Sequence, residues 1–384
     1  MNENEILING RFLTRPISGV ERVGREIIAE LDARLDSSGV LSHAGRKFSF
    51  SIAMPHSEHV DHVTNFPFSK ISVVYTGGKN RLPQSGHLWE QSTLPLFANG
   101  KYLLSLANSG PAFYPKQTVF MHDASVYAAP SAYSTGYKYF YYALYGCFRL
   151  SKPNVVTNSY FSKREIVERV GLSVSQIDVV SLGCDSLKDL IPDGSVIYDN
   201  GLKSQEYILI VASAQRNKNF ARLLQALTMM GSEAPTCVVV GGSSHPSFKK
   251  LSLEFPINCI EVGRVSDEQL KALYQNAIGI VFPSLYEGFG LPPLEAMSCN
   301  SLALVSNRAS LPEVCEKAAL YCDPEDINSI AQGIAALVQL SPAERREKLA
   351  IARIQAQKYT WKKSVDRLLD HLATRTITAN VSPS

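Results

Sequence analysis

Two carboxylates flank a glycine-containing loop within residues 280–297, whose sequence is IVFPSLYEGFGLPPLEAM. Glu287 precedes the loop and Glu295 follows it, with seven residues between them. Glycines let backbone amides approach a ligand closely, and Pro292 and Pro293 mark the first turn of a helix, where unpaired N–H groups favour anions and hydroxyls. Because carboxylates repel phosphate, Glu287 and Glu295 are better suited to accept hydrogen bonds from hydroxyl groups.

The spacing of these two glutamates resembles the E-x7-E motif of retaining glycosyltransferases with the GT-B fold, in glycosyltransferase family four. Four more segments match that family in order: 121–123 (MHD), 157–167 (TNSYFSKREIV), 263–277 (GRVSDEQLKALYQNA) and 306–326 (SNRASLPEVCEKAALYCDPED). An isolated E-x7-E would be a weak signal, whereas five ordered matches are specific. The resemblance is closest to bacterial polysaccharide enzymes of mannosyltransferase type.

The resemblance implies a donor site for a nucleotide sugar. Glu295 would bind the ribose hydroxyls, and Glu287 would hold the donor sugar near its reacting face. Further donor contacts would come from Gly19, Ser213, Gly288, Phe289, Gly290, Leu291, Arg264 and Val265. The simpler interpretation of Glu295 is a favourable charge near a helix N-terminus, worth about 0.3–1 kcal/mol.

Two cations lie in a polar loop between a strand and a helix, in the segment ASAQRNKNFARLLQAL (212–227). Lys218 would neutralise the leaving diphosphate as the glycosidic bond breaks. The sequence keeps the family's Lys218-Asn219 pair but departs from its usual pattern before them, which puts the second family cation in doubt. We expect Arg216 to take that role; the alternative is a solvated surface arginine.

The resemblance places several residues of the N-terminal half at the same site. Gly19, at a loop-to-helix junction, would approach the donor phosphates. His122 would lie beside the donor sugar as a catalytic residue, and Asp123 would either orient His122 or deprotonate the acceptor hydroxyl; the sequence does not decide between these roles. Arg11 and Arg15 are candidates for binding acceptor or phosphate.

Short apolar runs alternate with helical stretches along the whole chain, which indicates parallel α/β layers. We predict two Rossmann-like domains that face a central cleft. Residues 1–185 would bind the acceptor and residues 204–356 the donor, with a loop-like linker over 182–206. The amphipathic helix within 357–384 would pack back on the first domain.

Eight aromatic residues and three cations are interspersed within residues 131–152. Amphipathic aromatics beside cations suit a bilayer surface or an undecaprenyl-linked acceptor. The other interpretation is ordinary core packing against the same domain.

Composition limits the function classes. The 384 residues include 38 Lys+Arg and 35 Asp+Glu, a net charge of +3, which argues against a nucleic-acid partner. No apolar run approaches the roughly 20 residues that span a bilayer, and the first residues lack a secretory signal pattern. Seven scattered cysteines indicate a reducing cytoplasm, so we expect a cytoplasmic protein with at most peripheral contact with the inner membrane.

The sequence therefore predicts a retaining hexosyltransferase that uses a GDP- or UDP-sugar, in O-antigen, capsule or exopolysaccharide synthesis. The acceptor would be a glycan or an undecaprenyl-linked saccharide. Because no Asp-x-Asp motif occurs, we expect neither a metal nor a cofactor. A dinucleotide oxidoreductase lacks its G-x-G-x-x-G turn here. A GT-B sugar-nucleotide epimerase and a non-catalytic nucleotide-sugar-binding scaffold remain as alternatives.

Overall fold

The computed structural model describes residues 3–55, 68–76, 86–211, 216–241 and 258–380. They form two compact units. One unit comprises the described residues of Met1–Tyr127, Tyr133–Leu182 and Trp361–Ser384, and the other those of Ala128–Ala132 and Gly183–Thr360. Each unit is built on its own sheet.

The sheet of the first unit is parallel except at one pair of strands. Its described strands are β1 (Glu3–Asn9), β2 (Leu41–His43), β3 (Arg46–Pro55), β4 (Ser72–Thr76), β5 (Tyr102–Ser105), β6 (Gln117–Phe120), β7 (Asn154–Thr157) and β8 (Ile177–Val179). They run in the order β2-β3-β1-β5-β6-β7-β8, and β4 also pairs with β3. Only β2 and β3 are antiparallel among these pairs. The strand order reverses between β1 and β5.

Helices follow the strands of this sheet. They are α1 (Gly19–Arg34), α2 (Gly86–Ala98), α3 (Ser125–Ala128), α4 (Thr135–Ser151) and α5 (Tyr160–Glu165), with 3-10 turns at Gly10–Thr14 and Val174–Gln176 and a π-helical turn at Ile166–Val170. The sequence pattern S-x-x-E predicts capping boxes at Ser18 and Ser162. The first is confirmed. The second is wrong, because α5 begins after Ser159, whose hydroxyl accepts from the Ser162 amide.

The sheet of the second unit has the strand order of a dinucleotide-binding domain. Its described strands are β9 (Tyr207–Val211), β10 (Thr236–Val240), β11 (Cys259–Gly263), β12 (Gly279–Phe282), β13 (Leu302–Ser306) and β14 (Leu320–Cys322). They run in the order β11-β10-β9-β12-β13-β14, all parallel. The order reverses between β9 and β12, which is the switch point where open α/β sheets bind ligands beyond the carboxyl ends of strands.

Helices also cover this second sheet. They are α6 (Ser195–Asp199), α7 (Phe220–Met230), α8 (Asp267–Asn276), α9 (Leu291–Ser298), α10 (Leu311–Cys315), α11 (Ile327–Val338) and α12 (Pro342–Ala356), with 3-10 turns at Arg216–Lys218, Gly231–Glu233 and Glu316–Ala318. Leucine and isoleucine side chains of α7 and α11 pack with those of β9 and β13 and with Val281 of β12 in one core.

Residues 182–206, which the sequence predicts to be a linker, form hydrogen bonds with α8 of the second unit. The buried Lys271 of α8 donates to the carbonyls of Lys188 and Leu190 at 2.7 and 2.8 Å, and the Asp193 amide donates to the Glu268 carbonyl. The loop-like composition of residues 182–206 therefore does not mark a flexible connection, because its turns are held by backbone carbonyls and a buried ammonium group. From Gly183 onward the chain belongs to the second unit.

The last helix, α13 (Trp361–Asn380), belongs to the first unit although it follows the second unit in the chain. Its apolar face is buried through Val365, Leu368, Leu369 and Leu372. At its polar edge Asp366 pairs with Arg34 of α1 at 2.6 Å. His371 lies 2.7 Å from Asp178 of β8 and 3.0 Å from Thr118 of β6.

Most of the aromatic stretch 131–152 serves the core of the first unit. Tyr141, Tyr145 and Phe148 of α4 are buried against β6, β7 and the 166–172 segment. Tyr139 remains 67% exposed, so the other face of α4 meets solvent. Within the described residues we find no helix with the length and apolar character needed to cross a membrane.

Candidate functional site

An ion pair lies at the switch point of the second sheet. Lys218 ends the 3-10 turn that follows β9, and Glu287 lies in the loop that follows β12. The Lys218 Nζ donates to Glu287 Oε1 at 2.6 Å, and both side chains are largely shielded from solvent. The same ammonium lies 5.1 Å from the centre of the Phe282 ring, a cation–π contact that further fixes its position. The structure thus brings together the two residues that the sequence analysis assigned to charge stabilisation and sugar binding.

Backbone and amide hydrogen bonds hold the two loops against each other. The Leu285 amide donates to the Asn217 carbonyl at 2.7 Å, and the Asn217 side chain donates to the Tyr286 carbonyl at 3.1 Å. The buried Asn219 amide donates to the Pro283 carbonyl at 3.0 Å. These bonds position the Lys218–Glu287 pair before any ligand is present, as preorganised electrostatic stabilisation requires.

The start of α9 needs a glycine for two reasons. Gly290 caps the helix with a φ of +103°, a conformation that L side chains rarely adopt. A Cβ at this position would also lie 2.5 Å from Leu311 Cδ2. The Ser310 hydroxyl lies 2.9 Å from the carbonyls of both Glu287 and Phe289, so the loop before Gly290 is fixed from the β13 side as well.

Glu295 lies inside α9 and is almost completely buried. The helix begins at Leu291, so Glu295 is its fifth residue and lies just beyond the first turn in which the sequence placed it. The Tyr274 hydroxyl of α8 lies 3.5 Å from Glu295 Oε2. A buried carboxylate held by a buried tyrosine is a rigid hydrogen-bond acceptor, which argues against a surface charge that merely complements the helix dipole.

The other predicted donor residues of this unit follow the carboxyl ends of its strands. Arg264 is exposed and Val265 half-buried directly after β11. Gly288, Phe289 and Leu291 belong to the loop and first turn described above. Ser213 lies outside the described residues, and the structure describes the backbone of Arg216 but not its side chain.

His122 is buried in the first unit beyond the end of β6. Its Nε2 lies 2.9 Å from the Leu106 carbonyl, and its ring stacks on Phe120 with 4.5 Å between centroids. Burial lowers the pKa of His122, so the ring is neutral, with the hydrogen on Nε2 and a lone pair on Nδ1. The hydrogen on Nε2 is directed at the Leu106 carbonyl, and the neighbouring Asp123 carboxylate accepts from the Ser125 amide at 2.8 Å.

The predicted N-terminal binding residues differ in their surroundings. Gly19 is exposed at the first position of α1 with no atom near its missing Cβ, so the backbone there is open to a ligand. Arg15 is exposed, and its Nη1 lies 3.7 Å from Glu21 Oε1. Arg11 is buried, and its Nε donates to Glu90 Oε1 at 3.0 Å. This position does not favour the predicted contact of Arg11 with the acceptor.

The sequence analysis did not identify Glu90, whose carboxylate is the centre of a hydrogen-bond network at the switch point of the first sheet. The buried Glu90 Oε1 accepts from Asn9 at 2.7 Å and from Ser109 at 2.9 Å, besides Arg11. The i, i+3 spacing of His87 and Glu90 in GHLWE was the available signal, since both side chains then share one face of a helix.

No cluster of three or more His, Cys, Asp or Glu residues suited to a metal ion occurs in the part of the chain that the structure describes.

Comparison with known proteins identifies the family. Residues 199–356 match the family model described as glycosyl transferases group 1. The O-antigen chain mannosyltransferase B of Escherichia coli is 32% identical over 272 residues, which are 66% of this chain and 70% of that protein. The O-antigen chain mannosyltransferase RfbU of Salmonella typhimurium is 27% identical over 260 residues, 67% of this chain and 70% of that protein.

A solved structure shows the same fold. The Anabaena protein Alr3699/HepE, in complex with UDP and glucose, superposes with a TM-score of 0.70 at 14% sequence identity, over 97% of this chain and 99% of that one. Together with the two parallel sheets and the Lys218–Glu287 pair at a switch point, these similarities show that the chain belongs to the group 1 glycosyl transferases and has the GT-B fold.

Proposed function

We propose that the protein transfers mannose from a nucleotide-mannose donor, GDP-mannose first, to a saccharide hydroxyl during synthesis of an O-antigen-like polysaccharide. The single observation that carries the proposal is the preorganised Lys218–Glu287 pair in the segment that matches the family model. Two O-antigen mannosyltransferases among the relatives support the choice of sugar. The acceptor that we propose is a glycan or a lipid-linked saccharide, as the family resemblance of the sequence implies.

The donor is proposed to lie along the β9–β12 edge of the second unit. Glu295 would accept hydrogen bonds from the ribose hydroxyls, and Glu287 from the sugar. Amides of Phe289, Gly290 and Leu291 would bind sugar hydroxyls and diphosphate oxygens, with Arg264 and Val265 at the nucleotide. The neutral ring of His122 leaves the Nδ1 lone pair available to accept a hydrogen bond from a hydroxyl.

Transfer is proposed to proceed with retention and without a metal. The bond between the sugar C1 and the diphosphate oxygen breaks, and the electron pair leaves with the nucleoside diphosphate, whose charge Lys218 stabilises. The acceptor oxygen forms its bond to C1 on the same face, and its proton passes to the departing phosphate oxygen. Lys218 holds Glu287 at 2.6 Å, which favours a carboxylate that orients the sugar over one that attacks C1.

The test is incubation of the protein with GDP-mannose, UDP-glucose, UDP-N-acetylglucosamine or a dTDP-sugar, with octyl α-mannoside as acceptor and with EDTA. We expect a new α-mannoside from GDP-mannose, with the anomeric configuration read by NMR. Donor consumed without acceptor and returned as an isomer would show an epimerase. Donor binding without any product would show a scaffold. A β-linked product or loss of activity in EDTA would contradict retention or metal independence.

A further inference from the structure

A half-exposed histidine is fixed at the switch point of the first sheet. His87 lies in the first turn of α2, and its Nδ1 is 3.0 Å from Glu90 Oε2. Asn9 ends β1, Ser105 ends β5, and the strand order reverses between these two strands. The Asn9 side chain contacts both Glu90 and Ser105. The network therefore occupies the place where an open α/β sheet binds its ligand.

Glu90 determines which nitrogen of His87 faces outward. Burial alone would raise the pKa of the Glu90 carboxyl, but the His87 hydrogen bond and the charge of Arg11 hold that pKa below its usual value. An ionised carboxylate only accepts hydrogen bonds, so His87 Nδ1 carries the hydrogen. Because Asn9, Arg11 and Ser109 already occupy Oε1, the carboxylate cannot turn away from the imidazole without breaking three hydrogen bonds.

The remaining nitrogen, His87 Nε2, has no hydrogen-bond partner within the described segments. The side chain is 28% exposed, so this atom is accessible while the rest of the ring is held. The ring packs on Phe140 of α4, with 3.9 Å between centroids, and meets Tyr141 edge-on at 5.9 Å. A fixed hydrogen-bond acceptor beside a partly exposed aromatic ring matches the usual composition of a small-molecule site, an apolar wall with a few placed polar groups.

We propose that His87 is an acceptor-binding residue, whose Nε2 accepts a hydrogen bond from a hydroxyl of the saccharide acceptor while the Phe140 ring packs against the sugar. The inference rests on the proposed function, since it names the acceptor contact of that glycosyltransferase. Glu90 is a positioning residue, because it acts only through His87 and the network around it.

The test compares His87→Phe with His43→Phe. Phenylalanine at 87 keeps the packing on Phe140 and removes both nitrogens. His43 is the matched control, because its Nε2 also lies 2.7 Å from a carboxylate, that of Asp370. With GDP-mannose and octyl α-mannoside, we expect His87→Phe to raise the KM for the mannoside about 10-fold, the scale of one hydrogen bond. The KM for GDP-mannose should stay within 2-fold, and His43→Phe should change neither KM.

A second measurement on the unaltered protein does not depend on the folding of a variant. Diethyl pyrocarbonate acylates accessible imidazole nitrogens, and mass spectrometry of peptides reads the rate at each histidine. Octyl α-mannoside should slow the modification of His87 and leave that of His43 unchanged, whereas GDP should protect neither.

The outcomes separate this inference from the proposed function. An unchanged mannoside KM in folded His87→Phe, or equal modification of His87 with and without the mannoside, would overturn the role of His87 while transfer by the unaltered protein stands. Absence of transfer from every nucleotide sugar would overturn the proposed function and this inference together.

Discussion

The Lys218–Glu287 pair contributes little to the stability of the fold, but its arrangement suits catalysis. Taking two charges out of water costs several kcal/mol per ion, and the attraction between them offsets this desolvation penalty only in part. At the β9–β12 switch point, the same pair presents an ammonium group where a diphosphate would gain negative charge. The pair is therefore best explained by the reaction that we propose.

Replacement of either partner tests that explanation. Lys218→Ala or Glu287→Gln should lower the rate of mannose transfer by about 100-fold or more, the usual effect of losing one electrostatic stabiliser. Steady-state kinetics with a folding check by circular dichroism measures the change. Lys358→Ala is the control, since Lys358 pairs with Glu316 at 3.0 Å on the exposed surface of the same unit. Near-normal rates in both site variants would remove these residues from the mechanism.

Gly290 should tolerate no side chain. Gly290→Ala combines a φ of +103° with a contact of 2.5 Å to Leu311, so we expect a loss of about 1–3 kcal/mol in the free energy of unfolding and weaker donor binding. Gly194→Ala is the matched control, because Gly194 has a φ of −78° and open space around it. Chemical denaturation of both variants measures the difference; equal stability would show that the loop relaxes without cost.

Candidate site residues could be picked out from the sequence where they lie close together in the chain. Glu287, Gly290 and Glu295 lie within nine residues of one another, so one motif reveals all three. The burial of Arg11 was not predictable, because its partner, Glu90, is 79 residues away and only the fold brings them together. A loop arginine and a buried arginine look alike in the sequence.

Among the elements, most strands were predictable from short apolar or β-branched runs, whereas β3 and β5 were not. The apolar runs of β1, β9, β10 and β13 indicated strands near their observed bounds. The sequence of β3, RKFSFSIAMP, alternates polar and apolar residues in its first half, and β5 is only four residues long. Both were missed, although they flank β1 at the centre of the sheet.

Two helix-interior glycines give a prediction at the scale of the element. Gly146 of α4 has open space at its missing Cβ, so Gly146→Ala should raise the free energy of unfolding by about 0.5–1 kcal/mol through helix propensity. Gly24 of α1 is its opposite, since a Cβ there would lie 2.6 Å from the Phe12 ring, and Gly24→Ala should destabilise. Denaturant titration of both variants checks the signs; a stabilising Gly24→Ala would contradict the close packing of α1 on Phe12.

For the whole molecule, the chain returns to its first unit after completing the second. The buried leucines of α13 and the His371–Asp178 contact hold this helix on the first unit. The amphipathic pattern of the last helix predicts that it packs back on the first domain. The boundary between the two units, by contrast, does not coincide with the change in composition at residues 182–206. Residues 183–206 look like a loop and yet belong to the second unit, where the carbonyls of Lys188 and Leu190 accept hydrogen bonds from Lys271 of α8.

The contact of α13 with β8 should appear in the pH dependence of stability. The hydrogen bond from His371 and the nearby Arg375 lower the pKa of Asp178 to about 2. A lowered carboxyl pKa stabilises the fold above the unfolded value near 4, and this contribution is lost as the pH falls from about 4 to 2. The Asp178 side chain is 47% exposed, so screening reduces the contribution to about 1 kcal/mol.

Thermal unfolding between pH 6 and pH 2 measures this contribution. Asp178→Asn should lower stability at pH 6 and flatten the acid limb of the profile. Glu168→Gln, at an exposed position of the same unit and without an ion pair to any described residue, is the control and should keep the slope of the unaltered protein. An unchanged acid limb in Asp178→Asn would show that the contact does not help to hold α13 on the first unit.

The measurement that tests the central claim most directly is calorimetric titration of GDP-mannose into the unaltered protein and into Glu295→Gln. Glu295 is buried beside Tyr274 and is proposed to bind the ribose hydroxyls, so its loss should weaken binding about 10-fold or more, as expected for charge-assisted hydrogen bonds. The predicted result is a measurable heat of binding in the unaltered protein and the weaker binding of GDP-mannose in Glu295→Gln. Equal affinity in the two proteins, or no binding of GDP-mannose or of any UDP- or dTDP-sugar, would contradict the account.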